Sequence, residues 1–257
     1  MDDELRIEMW NYFYIYILDE LSNNSIRDLG VFFMVLWVNF FKHPIDEFPE
    51  DFRFFLKNWF FNSTWYEVYD FLEFVIQLDR PLNKEEAVKT CNNILERNLS
   101  AYRLVGNKFL EITDQVEINA IEEALNTSEK AGIDGAFHHL QTALRMLSDR
   151  RMPDYRNSIK ESISSVEAVC KFITSDKNAT LGQALNKIES KIQLHPALKH
   201  AFSSLYGYTS YEDGIRHAMI DENKVDFEDA KYMLVSCSAF VHYLIHKANR
   251  AGVCKIR

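Results

Sequence analysis

Arg216 and His217 stand side by side at the end of the stretch Tyr206-Gly-Tyr-Thr-Ser-Tyr-Glu-Asp-Gly-Ile-Arg-His217, where a polar, aromatic loop interrupts the helical pattern of the second half. A guanidinium fork holds a phosphate, and an imidazole exchanges protons near neutral pH, so the two together offer phosphoryl chemistry. The plainer reading pairs Arg216 with Glu212 or Asp213 and leaves His217 on a solvated turn. Glu167 and Lys171 are four residues apart beside an apolar helical stripe, so they project together from its polar flank. By spacing alone they form an ordinary helix-surface ion pair worth a few tenths of a kcal/mol, roughly. His242 and His246, also four apart, have the spacing to share a metal ion, but neither a third ligand nor an H-E-x-x-H pattern accompanies them. They read as a solvated helix face, as do His138-His139 and His195 with His200, and neither a metal nor a cofactor is expected.

The elements that would carry these residues are helices. Eight Gly and five Pro in 257 residues leave few tight turns for a many-stranded fold. Ile133, Ala136, Phe137, Leu140, Ala143, Leu144 and Leu147 recur at helical spacing, and Ile159, Ile163, Val166, Cys170 and Ile173 form a second stripe. These two predict an antiparallel pair joined around Pro153. Shorter helices follow at about 179–192 and 196–206, and a long one at about 227–248 with Asp226 as its N-cap. In the first half, helices are predicted at about 4–22, 28–42, 50–60, 64–78 and 84–98, the last opened by Asn83 and Glu86 as a capping box. Trp10, Phe13, Phe32, Phe33, Trp37, Phe40 and Phe41 give this half an aromatic core. Around Gly106-Asn107 the period shortens to an alternation, the signal of a β-hairpin. A lone hairpin needs a body to pack on, so it marks a seam between two domains, 1–113 and 114–257. The fold class is mainly α, with that hairpin as its one small sheet.

Composition limits the function classes. The formal charge of −9 gives the whole chain no basic field to collect nucleic acid, so any RNA contact is local. The sequence contains no G-x-x-x-x-G-K-S/T, G-x-G-x-x-G or G-x-S-x-G, the marks of nucleotide hydrolysis, dinucleotide binding and hydrolase-fold acyl transfer. Cys91, Cys170, Cys237 and Cys254 are far apart, with no C-x-x-C pair. The start Met1-Asp2-Asp3-Glu4 is acidic where a secretory signal is basic, and the apolar run Val31 to Phe41 is too short to span a bilayer. A cytosolic protein with no membrane partner is expected.

Two blocks of residues resemble a known family in order. Leu36-Trp-Val-Asn-Phe-Phe-Lys-His-Pro44, Trp65-Tyr-Glu-Val-Tyr-Asp-Phe-Leu-Glu73 and the hairpin Tyr102-Arg-Leu-Val-Gly-Asn-Lys108 resemble the amino-terminal domain of AbiJ-like abortive infection proteins. Tyr155 to Lys171 and Asp213-Gly-Ile-Arg-His217 resemble the HEPN-type helical bundle that follows it in that group. The resemblance implies an antiphage effector in which residues 114–257 form a HEPN-like bundle that cuts RNA without a metal. It also implies a homodimer through the carboxyl-terminal domain, and a phage-derived trigger or another defence protein as further partners. The usual HEPN signature is an Arg, four to six residues, then a His, supported by Glu-x-x-x-Lys on an earlier helix. Glu167 and Lys171 match the supporting pair, and Arg216 matches the Arg. His217, however, directly follows Arg216, and residues 221–223 are Asp, Glu and Asn. The same resemblance is met by a non-catalytic HEPN module that binds or senses a partner, and the sequence alone leaves both readings open.

Overall fold

In a computed structural model of the chain, residues 1–19, 21, 26–78, 84–210 and 225–256 are described, and they form two units, Met1–Glu111 and Ile112–Arg257. Unit 1 is helical up to its closing hairpin. Helix α1 (Asp3–Phe13) widens into a π-helical stretch, Tyr14–Asp19, and α2 (Ile26–Val35) likewise continues as a π-helix over Leu36–Phe40. A 3₁₀ turn at Ile45–Glu47 leads to α3 (Phe52–Asn62), α4 (Trp65–Gln77) and α5 (Lys84–Arg97). Short side chains set the helix starts: Asp2 accepts from the Leu5 N–H and Asp51 from the Phe54 N–H, each at 2.9 Å, while Thr64 and Glu67 form a capping box. Asn83, the expected cap of α5, lies outside the described residues. Arg6 reaches from α1 to the end of α3, donating to the carbonyls of Phe60 and Ser63 at 2.7 Å each and satisfying groups the helix itself leaves open.

The aromatic side chains fill the centre of unit 1. Phe13, Phe60 and Phe71 are fully buried, and Phe71 meets Phe13 edge-on with ring centroids 5.0 Å apart. Strands β1 (Arg103–Val105) and β2 (Lys108–Leu110) pair antiparallel, with Leu104 opposite Phe109. Gly106 and Asn107 both have positive φ, 51° and 74°, as a two-residue turn matching the strand twist requires. The hairpin packs within unit 1, where Phe109 stacks on Tyr69 with centroids 4.3 Å apart.

Unit 2 holds α6 (Gln115–Lys130), α7 (Asp134–Ser148), α8 (Tyr155–Thr174), α9 (Leu181–Ile192), α10 (Pro196–Ser210) and α11 (Phe227–Arg250). The α7–α8 pair is antiparallel, since His139 meets Glu161, Ser158 donates to the Ala143 carbonyl and the Asp154 N–H reaches the Met146 carbonyl. Helix α8 is the centre of the bundle, packed against α7, α9 and α11. Its stripe Ile159, Ile163, Val166, Cys170 and Ile173 is buried, as are Ala230, Met233, Leu234, Cys237, Phe240, Val241, Leu244 and Ile245 of α11. The apolar face of α11 is therefore internal to the unit, the ordinary fate of such stripes. Asp226 caps α11, accepting from the Asp229 N–H at 3.0 Å. The described residues are mainly α, and β1–β2 is their one sheet. Among them, no helix is long and apolar enough to cross a membrane.

Candidate functional site

Helix α8 presents Glu167 and Lys171 one turn apart, each beside a buried member of its stripe, Val166 and Cys170. Lys171 Nζ lies 2.6 Å from Glu167 Oε1, and both side chains are partly buried. The pair is formed as the spacing predicts, and it directs one cation from the bundle surface. Burial first, and the negative field of Glu167 second, push the Cys170 thiol up to about 12, which keeps it protonated and unreactive.

Arg216 and His217, with residues 211–224 as a whole, lie outside the described residues. The structure thus assembles the Glu167–Lys171 half of the expected constellation and is silent on its other half. One boundary is corrected: the interruption expected from Tyr206 begins later, because α10 runs on through Ser210. The helix continues through Gly207 although Gly costs a helix interior about 1 kcal/mol relative to Ala.

A second polar cluster joins α6 to α11. His242 Nδ1 lies 3.1 Å from Thr127 Oγ1, and its Nε2 lies 3.8 Å from a Glu123 carboxylate oxygen. The His246 ring follows at 4.3 Å between centroids. Desolvation, then the neighbouring His242 and Arg250, hold His246 below the usual imidazole range, against a smaller upward pull from Glu123. The solvated-face reading of His242 is corrected accordingly: the ring is half-buried and tied to another helix. His139 is corrected in the same way, since its Nδ1 lies 2.6 Å from Glu161 Oε2 on α8. His195 serves locally, its Nδ1 accepting from the Ala197 N–H at 3.2 Å in the first turn of α10. What the sequence lacked was a signal for the Thr127–His242 tie, whose partners are 115 residues apart. A hydroxyl on the buried face of α6 was the one hint. Among the described residues, no group of three His, Cys, Asp or Glu side chains is arranged to hold a metal ion.

Comparison with known proteins gives no match among curated proteins and none among solved structures. The family described as AbiJ N-terminal domain 4 does match, over residues 1–127, a span that takes in all of unit 1 and most of α6. Over residues 1–127 the chain is thus similar to the amino-terminal domain of AbiJ-like proteins.

Proposed function

We propose that the protein is an abortive-infection effector whose carboxyl-terminal unit cleaves RNA without a metal. The observation that supports the reading is the family match over residues 1–127, which suggests an abortive-infection context; the effector role of the second unit is our inference from the resemblance of residues 155–171 and 213–217 to a HEPN-type bundle. The formed Glu167–Lys171 pair supports it further, as the positioned cation that phosphodiester cleavage uses.

In this reading a base takes the proton of the RNA 2′-hydroxyl, and the freed oxygen attacks the adjacent phosphorus. The bond from phosphorus to the 5′-oxygen breaks, leaving a 2′,3′-cyclic phosphate and a 5′-hydroxyl that receives its proton from an acid. His217 serves as acid or base and Arg216 as the clamp for the charge that develops on the phosphate. Lys171, oriented by Glu167, supplies a second cation. One histidine supplies one proton carrier, so the other comes from water or from a second protomer in a homodimer through this unit.

Expressing the wild type and Arg216→Ala and resolving total RNA on a gel tests this reading. The wild type is expected to degrade RNA in the presence of EDTA and to leave cyclic phosphate ends, and Arg216→Ala to spare the RNA. Loss of activity in EDTA, or equal cutting by Arg216→Ala and His217→Ala, overturns it. The second reading, a non-catalytic module that binds or senses a partner, is favoured by the net charge of −9 and by the adjacency of Arg216 and His217. Toxicity that persists with intact RNA would select it.

A further inference from the structure

We propose that the outer apolar face of α2 is a docking groove for a basic amphipathic helix of a partner protein, which gives unit 1 a recognition role of its own. The groove is open to solvent and has a volume of 640 Å³. Gly30, Val31, Met34, Val35 and Val38 line it, with Phe48 as a wall and Asn39 as the polar member of the set. All of these residues belong to unit 1, so the inference stands whether or not unit 2 cuts RNA.

Helix α2 and its π-helical continuation carry the apolar run Val31 to Phe41. The inward residues Leu29, Phe32, Phe33, Leu36 and Trp37 are buried in the aromatic core. A helix that is apolar all round is ordinarily covered on every side, yet Val31, Met34 and Val38 are 48%, 42% and 39% exposed. They fall at i, i+3 and i+7, and the wider turn of the π-helical stretch brings Asn39 round to the side of Met34, so the strip is continuous. A Cβ added at Gly30 would meet no atom within 4 Å, so this end of the groove is unfilled. Such a strip takes the apolar side chains of a second helix spaced one turn apart. Charge selects which helix. Residues 1–111 hold 19 Asp and Glu against 11 Lys and Arg, a formal −8 of the chain's −9. Between residues 28 and 51 the sequence has five acidic side chains against Lys42 alone, and exposed Asp46, Glu47 and Glu50 stand on either side of Phe48. Two copies meeting through this face would oppose like charge, and an anionic membrane or nucleic acid is repelled in the same way. A helix with apolar anchors and Lys or Arg on its flanks matches both the strip and its rim.

Fluorescence anisotropy of a labelled synthetic amphipathic helix, with leucine on one face and lysine on the other, titrated with the full chain tests the groove. Binding is expected, and it should weaken as salt is raised. Gly30→Leu fills the open end of the groove without meeting a neighbour, and Met34→Asp interrupts the strip while adding negative charge. Each is expected to weaken binding about tenfold or more, as the loss of an anchoring contact does. The Asp variant separates docking from mere attraction of charge, which it would strengthen. Phe54→Asp, at a 65% exposed ring outside the groove, should leave the affinity within about twofold. The same peptide with glutamate in place of lysine should not bind. If Met34→Asp does not fold, Gly30→Leu decides alone, since its site is exposed and uncrowded. Several results would overturn the proposal: no binding up to about 100 μM, unweakened binding by Gly30→Leu, or equal binding of the glutamate peptide. Self-association of the wild type that Gly30→Leu abolishes, seen by light scattering, would overturn it too, by making a second copy the occupant.

Discussion

Glu73 is 4% exposed, and it accepts from two donors of the hairpin: Lys108 Nζ at 2.7 Å and the Phe109 N–H at 2.8 Å. Removing it strands a buried amide and a partly buried cation, so Glu73→Ala is expected to cost about 2–4 kcal/mol in urea unfolding. Glu73→Gln keeps an acceptor for Phe109 and should cost less than half of that. A Glu73→Ala loss within experimental error would show that the hairpin does not depend on this carboxylate. His246 gives a pH dependence with a definite sign. Its folded-state pKa lies below the free imidazole value, so the unfolded chain binds more protons in the intervening window. That contribution is fully present above about pH 6.5 and is lost as pH falls through the lowered folded value. Wild-type stability should therefore fall relative to His246→Gln on acidification, read from urea midpoints at a series of pH values. Parallel midpoints would contradict the sign. Of these residue-scale features, the Glu167–Lys171 pair was legible because one helical turn brings its members together. Glu73 and Thr127 were not, because their partners are supplied by tertiary packing. For Arg216 and His217, sequence chemistry and resemblance remain the basis of the assignment.

A two-stranded sheet has two open edges, and here helix side chains close both. Leu104 and Phe109 are an opposed pair whose backbone groups point away from each other. On one side, Asn92 donates to the Leu104 carbonyl at 2.9 Å and accepts from its N–H at 2.7 Å. On the other, Glu73 takes the Phe109 N–H. The turn between them uses Gly-Asn, whereas Asn-Gly is the commoner order for two consecutive positive φ values. Exchanging the two, Gly106→Asn with Asn107→Gly, is expected to raise stability by about 0.5 kcal/mol, seen as a higher melting temperature. A lower one would mean that Asn107 makes a contact the exchange destroys. The hairpin and the helices were readable because period and turn chemistry are local properties. That α10 runs past Tyr206 as far as Ser210 was not, because Tyr, Gly, Thr and Ser in succession are poor helix signals. The π-helical stretches that extend α1 and α2 left no sequence signature, since an added residue in a helical turn does not change the apolar pattern enough to be seen.

At the scale of the molecule, contacts divide the chain after Glu111, while the family match runs on to residue 127. Helix α6 belongs physically to the second unit, where Ile118, Ile121, Ala124 and Leu125 are buried and the helix packs on α11 and α7. Burying three large aliphatic side chains contributes about 5–9 kcal/mol, comparable with the whole stability of a domain. A fragment of residues 112–257 is therefore expected to unfold cooperatively, and one of residues 128–257 to lack a cooperative transition by circular dichroism. Cooperative folding of the shorter fragment would return α6 to the first unit. The four cysteines, all free and buried, are shared between the units: Cys91 lies in the first, and Cys170, Cys237 and Cys254 in the second. Burial pushes the thiols of Cys170 and Cys237 up to about 12 and that of Cys91 higher still. A thiol reagent can therefore modify them only in molecules that have opened. The native chain thus carries its own unfolding clock, in which the labelling rate of Cys91 times the opening of one unit and that of Cys170 and Cys237 the other.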